Sequence, residues 1–488
     1  MELKKKLKEN IWLWLPIVVI CLGIVGLFAI TDVSFTHNDL KIFTDICKRM
    51  RHGDVLYRDV IDWKGPMLFF IWLPFSYLGK YAVLTMSVVV GSLLYYMLYK
   101  ITQVHDFKLK KPILMMFLAT ILIFTPGGLL VMPEGMTNLP LLWFLLMYDN
   151  DKIYSSKIVQ VFAGVIVGLL FWSKMTLCLI FFPIYGFLLY DAISEKKVPE
   201  LVKSCALSLV GFAIISLLVC SYFVATDSLS IMLDEYFVSN SGYIGRTMED
   251  KYKVLVWVIA CAAYAIQLVA CIIRIVKLKK FDIICAIQVG ALLVCLCFTF
   301  LNYNQGVHSW TLLLTSLFTY VEYTSWLWVL PILASIGMAF GHTVNEACDD
   351  MSRMIQKIGT STVNTLLSYD YCLIDKTMLN TDGKYTFFPR IVTENRSDMV
   401  DAIITDFTTC DAEYYLVTLS ITDLDNLTEE VYKKNLLCST SLTKSDRRRF
   451  IGAASKYLAE NFEVEDSVIT MRDTSDTPTE VTLLLRRK

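Results

Sequence analysis

Three stretches near the start of the chain hold side chains suited to moving a group off a phosphate. They are Phe35-Thr36-His37-Asn38-Asp39, then Gly53-Asp54-Val55-Leu56-Tyr57-Arg58-Asp59, then Asp62-Trp63-Lys64-Gly65-Pro66. Together they supply an early carboxylate (Asp39), two conspicuous cations (Arg58 and Lys64) and an apolar segment that starts at a proline. A carboxylate can take the proton from an attacking hydroxyl while a nearby cation steadies the departing phosphate. Lys64 or Arg58 could hold a lipid phosphate at headgroup level. Further candidates follow along the chain. Glu134 lies in Met132-Pro133-Glu134-Gly135-Met136-Thr137-Asn138, Lys174 lies between two short apolar blocks, and His308 closes Asn302-Tyr303-Asn304-Gln305-Gly306-Val307-His308. An acid at the edge of an apolar region is expensive to place, which singles out Glu134.

Each candidate has a plainer reading. Asp39 could be a solvated loop acid, with Asp32 and Asp45 as neighbouring competitors. Glu134 could cap the next segment, and Lys64 could snorkel at a membrane edge. Arg58 and Lys174 could simply anchor spans, and His308 could be a satisfied loop histidine. Tyr57 and Trp63 read as interfacial aromatics that also shape a cavity.

These residues must be positioned by a membrane bundle. The 488 residues are 55% hydrophobic and only 19% charged, with a mean hydropathy of +0.53. Soluble chains carry about 25% charged residues. This excludes a simple cytosolic enzyme and a disordered protein. The net charge of −1 gives no reason to seek nucleic acid. The apolar residues arrive in long blocks at 11–30, 81–99, 112–124, 138–148, 158–173, 175–190, 204–225, 254–273, 283–301, 309–321 and 325–341. Counted as crossings they predict about eleven spans, several shorter than the roughly 20 residues a full span needs. The block 67–78 reads as re-entrant or interfacial, and Thr125-Pro126-Gly127-Gly128 as irregular backbone lining a cavity.

Lys4, Lys5, Lys6 and Lys8 precede the first block, which reads as a retained span with a cytoplasmic N-terminus. Alternation then puts Lys100/Lys108/Lys110/Lys111, Lys152/Lys157, Lys196/Lys197/Lys203 and Arg274/Lys277/Lys279/Lys280 inside, as expected of basic clusters. Loops 31–66 and 226–252 face outward. The first of these is itself basic (Lys41, Lys48, Arg49, Arg51, Arg58 and Lys64), which breaks the pattern and suggests that those cations have work to do.

Composition changes at about residue 344, dividing the chain into a transmembrane domain at 1–343 and a soluble extracytoplasmic domain at 344–488. The second reads as small α/β, with strands at 371–374, 414–419 and 481–485 and helices at 345–358 and 445–460. It has no Gly-rich phosphate loop and no nucleophile elbow. Most cysteines sit in apolar blocks and behave as small hydrophobes. Cys348, Cys372, Cys410 and Cys438 fall in the tail, where export would permit disulfides without fixing their pairing. No His/Cys cluster has metal-ligand spacing.

On these residues the chain resembles the GT-C membrane glycosyltransferases, in the bacterial branch similar to protein O-mannosyltransferases and the lipid A aminoarabinose transferase. The matching parts are Asp39, Gly53, Tyr57-Arg58-Asp59, Lys64-Gly65-Pro66 before a segment ending at Gly79, Glu134, Lys174 and the aromatic loop 233–243. The resemblance implies a polyprenyl-phosphate sugar donor and an extracytoplasmic acceptor, which could be a protein, lipid or cell-wall glycan. It gives Asp39 the role of general base and makes Glu134 a second acidic residue. Lys64 contacts the phosphate, supported by Arg58, Lys174, His308 and Tyr57. The chain departs from the pattern at Asn38-Asp39-Leu40, which lacks an adjacent acid, and at Lys64-Gly65-Pro66, which stands for Lys-Pro-Pro. His308-Ser309-Trp310 lacks the usual following aromatic. The donor sugar and the use of a divalent cation stay open. The expected fold is an all-α polytopic GT-C bundle in the plasma membrane with a small α/β tail. Two rivals stand against a transferase: a transporter or flippase of a lipid-linked sugar, and an assembly factor whose tail binds a partner. Transporters keep ionisable groups near the bilayer midplane within paired repeats, whereas these acids fall in outer loops.

Overall fold

The computed structural model describes residues 2–31, 38–62, 64–104, 131–239, 250–301, 319, 354, 356–359, 361–366, 380–381, 397–420, 427–436, 444–471 and 480–488. It is mostly helical with one small mixed sheet. In the N-terminal part, α1 (Glu2–Thr31), α2 (Asn38–Arg51), α3 (Pro66–Ser76) and α4 (Ala82–Val104) come first. They are followed by α5 (Asn138–Asp149), α6 (Lys157–Ser173), α7 (Phe181–Ser194), α8 (Val198–Ala225), α9 (Asp250–Leu278) and α10 (Ile283–Leu301). Among the described residues, three helices are long and apolar enough to cross a membrane: Ala82–Val104, Met175–Ser194 and Val198–Ala225. Of the about eleven crossings predicted by apolar blocks, 112–124, 309–321 and 325–341 lie wholly or almost wholly outside the described residues.

The short blocks are short helices. At 1.5 Å per residue, α3 spans roughly 16 Å and α5 roughly 18 Å, well under a hydrocarbon core of about 30 Å. Pro66 opens α3 at its first turn, where no N–H is needed. The loop expected at 31–66 differs from a simple loop, because it contains α2. Leu40, Phe43, Ile46 and Cys47 are buried and recur at helical spacing, so the segment is amphipathic despite its charges. Phe43 packs edge-on against Phe69, 5.8 Å between ring centres, and Cys47 Sγ donates to the Phe69 carbonyl at 3.3 Å. Farther on, Arg51 reaches Ser76. Phe43 also lies 6.2 Å from the Trp72 ring, so α2 is packed along α3 through several of its turns.

The tightest packing joins α6 to α8. A Cβ on Gly164 would lie 1.7 Å from the Ser208 carbonyl oxygen, and one on Gly211 would lie 1.9 Å from that of Val161. The backbones approach so closely that only glycine fits, the arrangement by which small residues drive helix association in lipid. Ser208 Oγ donates to Gln160 O at 2.9 Å and Trp172 Nε1 donates to Ser216 Oγ at 2.9 Å. Gly164→Leu is expected to force the helices apart at a cost of at least about 1–3 kcal/mol, read as a lowered thermal midpoint in detergent. An unchanged midpoint would mean that this contact contributes nothing.

The tail forms a five-stranded sheet in the order β2-β1-β3-β5-β4, from β1 (Thr362–Leu366), β2 (Asn380–Thr381), β3 (Tyr414–Ser420), β4 (Phe462–Met471) and β5 (Glu480–Arg487). β1 pairs in parallel with β2 and β3, while β5 pairs antiparallel with β3 and β4. The strands expected at 414–419 and 481–485 are found as β3 and β5, and the helix expected at 445–460 is Lys444–Asn461. The strand at 371–374 and most of the helix at 345–358 lie outside the described residues. β3 is buried nearly throughout, as a central strand covered on both faces must be. Helices Ser397–Thr409 and Lys444–Asn461 contribute Phe407 and Phe450 to the core, and Tyr415 Oη donates to Phe407 O at 2.7 Å. Ile61, from the segment between α2 and α3, joins this same hydrophobic cluster.

Candidate active site

The chain around Lys64 is held by a series of short contacts. Tyr57 has φ 68°, a left-handed conformation unusual for an aromatic residue. Its N–H donates to Val60 O at 2.7 Å and its hydroxyl donates to Lys64 O at 2.6 Å. Its ring is buried 5.7 Å from that of Phe223. Burial pushes the phenol well above its ordinary value, helped by Tyr236, Asp62 and Glu235 nearby, so Tyr57 stays a hydrogen-bond donor. Asp62 Oδ1 accepts from the Lys64 N–H at 2.8 Å, a local turn of the kind aspartate favours. The half-buried Lys64 is therefore fixed by its own main chain from two sides.

The next residue docks on a helix break. Gly65 N–H donates to Ser173 O at 2.8 Å. A Cβ there would lie 1.9 Å from Trp172 O and 2.9 Å from Tyr236 Oη, so a glycine is required by this approach. α6 stops at Ser173, Lys174 is extended, and a 3-10 turn runs from Met175 to Ile180. Tyr236 clamps the break, its hydroxyl donating to Phe171 O and accepting from Met175 N–H at 3.1 Å. Its ring stacks on Trp172 at 5.9 Å. Tyr236 and its neighbour Glu235 belong to a π-helical turn, Asp234–Ser239, a form often found at functional positions.

Lys174 directs its ammonium to Glu134, with Nζ 2.5 Å from Oε1. Glu134 is 0% exposed and the Lys174 side chain 12%. Glu134 lies in the one-turn helix Pro133–Met136, which is stabilised by Thr137 Oγ1 donating to Pro133 O at 2.7 Å and Asn138 Nδ2 donating to Gly135 O at 2.9 Å. An ion pair so buried meets a large desolvation penalty.

Glu134, Lys174, Lys64 and Tyr57 are thus brought into one neighbourhood, through the Gly65–Ser173 contact. Arg58 is placed otherwise. It is exposed, paired with Asp59 at 2.9 Å, and its Nη1 donates to Thr226 O at 3.1 Å. Asp39 is the second residue of α2; its side chain and all of His308 lie outside the described residues. Among the described residues, no group of three or more His, Cys, Asp and Glu side chains could hold a metal ion. Sequence reasoning gave no role to Asp62, Glu235 or Tyr236. Asp62 carried a local signal in its position two residues before Lys64, and Glu235 and Tyr236 fall within the aromatic loop 233–243.

The Arg58–Asp59 pair has a pH signature. Hydrogen bonding from Arg58 holds the Asp59 carboxyl below its ordinary value, helped by the Val55 N–H. A folded value below the unfolded one stabilises above about pH 4, and the contribution disappears as pH falls through the folded value. The effect is small for an exposed pair. Arg58→Ala should therefore lower the thermal midpoint slightly at neutral pH, with the gap from wild type closing as the medium is made more acidic than the ordinary carboxylate range. A gap independent of pH would contradict this pairing.

The chain matches no protein-family model and no curated protein sequence.

Proposed function

We propose that the protein is an integral membrane glycosyltransferase of the GT-C type. It moves a sugar from a polyprenyl-phosphate donor to an extracytoplasmic acceptor. The observation that carries this reading is the buried Glu134–Lys174 pair at the helix break, against the Lys64–Gly65 segment. Burying two charges without a use for them is costly, and this pair is joined to a second lysine at the start of a short apolar helix. Such an arrangement suits an anionic lipid phosphate. In this reading the bundle has about eleven spans, a cytoplasmic N-terminus and the tail outside, in the plasma membrane.

The step itself is a single displacement. An acceptor hydroxyl attacks the anomeric carbon, and Asp39 takes its proton as general base. The bond from that carbon to the phosphate oxygen breaks, and polyprenyl phosphate leaves with its electron pair. Lys64 and Lys174 stabilise the charge that develops on the leaving oxygen. Glu134 orients Lys174, and Tyr57 holds the Lys64 main chain. Arg58 and His308 would contact the donor from the outer side. One base with no second nucleophile implies inversion. Isolated product should therefore carry the opposite anomeric configuration to the donor. Retained configuration, or no glycosylated product at all, would overturn the reading.

A further inference from the structure

The cations at the end of α2 do not share one environment. The last turn carries Lys48, Arg49 and Arg51, and His52 follows. Arg49 is turned inward, with Nε donating to Asp54 Oδ2 at 2.6 Å and Nη2 to Asp59 O at 3.0 Å. This pair neutralises Asp54. Arg51 turns outward instead. Its Nη1 donates to Ser76 O at 2.7 Å, a carbonyl at the end of α3, and its guanidinium carbon lies 4.1 Å from the centre of the Tyr77 ring. One such bond occupies one of five guanidinium donors. His52 is exposed beside it, its Nδ1 hydrogen-bonded to Lys48 O at 2.8 Å.

The apolar side of the same corner is exposed as well. Tyr77 is 68% exposed, Tyr81 50% and Leu78 46%, immediately before Ala82–Val104, one of the helices long and apolar enough to cross a membrane. Tyrosines at the start of such a helix, with cations beside them, have the composition of a membrane–water interface. A stacked guanidinium that already caps one carbonyl is held in place for a phosphate, which Arg recognises through several parallel N–H groups.

We propose that the corner formed by the ends of α2 and α3 binds the headgroup phosphate of an anionic phospholipid. Arg51 is the principal contact, with Lys48 as a flanking cation and His52 as a flanking hydrogen-bonding group. Tyr77, Leu78 and Tyr81 enter the upper acyl region of the bilayer. The charge on the first loop, which opposes the usual distribution, then has a partner in the lipid. The inference rests on this surface alone and is independent of the reaction proposed above.

The test uses the full-length protein in detergent, with phosphatidylglycerol, phosphatidylcholine or glycerol 3-phosphate added. Bound lipid is counted by native mass spectrometry, and the thermal midpoint is followed in parallel. Phosphatidylglycerol should be retained and should raise the midpoint, less so at high salt, while the other two should do neither. Arg51→Gln and His52→Glu should each reduce phosphatidylglycerol retention roughly fivefold or more, the effect of about one basic side chain near an anionic surface. Arg51→Gln also removes a cap from α3, so His52→Glu, a change at an exposed side chain, decides if the first variant unfolds. Equal retention of the two phospholipids would overturn the proposal, as would His52→Glu binding phosphatidylglycerol like wild type. Equal protection by glycerol 3-phosphate would replace the lipid with a free phosphate ester.

Discussion

Asp39→Asn is expected to lower sugar transfer roughly 10²–10⁴-fold, the usual contribution of a positioned general base. Asparagine keeps the size of the side chain and its place in the first turn of α2, but it cannot take a proton from an attacking hydroxyl. Donor retention and the thermal midpoint should stay at wild-type values, because the loss falls on the proton-transfer step. α2, which carries Asp39, is tied to α3 at Cys47–Phe69 and Arg51–Ser76. Asp45 is the natural control, being buried on the same helix. An Asp39→Asn protein with undiminished turnover would remove the base from the mechanism.

The second large effect concerns the buried pair. Glu134→Ala would leave the Lys174 ammonium in a site where only 12% of its side chain is exposed. Breaking a buried pair in this way costs about 3–5 kcal/mol, enough to abolish the folded state of many proteins. Little folded protein should survive in detergent. Glu134→Met combined with Lys174→Met removes both charges at similar volume, and such replacements are often neutral or stabilising. The double variant should therefore recover its thermal midpoint and remain inactive. Recovery of both midpoint and turnover would make the pair a structural strut. Failure to recover either would mean that the charges are also required by groups around them.

Much of the framework was readable before the fold was known, because it depends on local composition. The apolar run at 204–225 lies within α8, and β3 follows from the β-branched and aromatic residues of 414–419. α2 was concealed because Lys41, Lys48, Arg49 and Arg51 make the stretch look like a polar loop. Its helical signal lies in the spacing of Leu40, Phe43 and Cys47, not in its average polarity. Glu134 and Lys174 each stood out from their apolar surroundings. Their pairing did not, since 40 residues separate them and nothing local records a long-range contact. Gly65 illustrates the same limit, because its necessity comes from Trp172 O and Tyr236 Oη, both far away in the chain. The docking of Ile61 into the tail cluster likewise has no counterpart in sequence pattern.

The most direct measurement follows a doubly labelled donor in vesicles containing the purified wild-type protein, with one label on the sugar and one on the polyprenyl chain. The expected result is free polyprenyl phosphate appearing one for one with sugar on the acceptor. Sugar that crosses the bilayer still joined to its lipid, with no polyprenyl phosphate released, would contradict the transferase and favour a transporter.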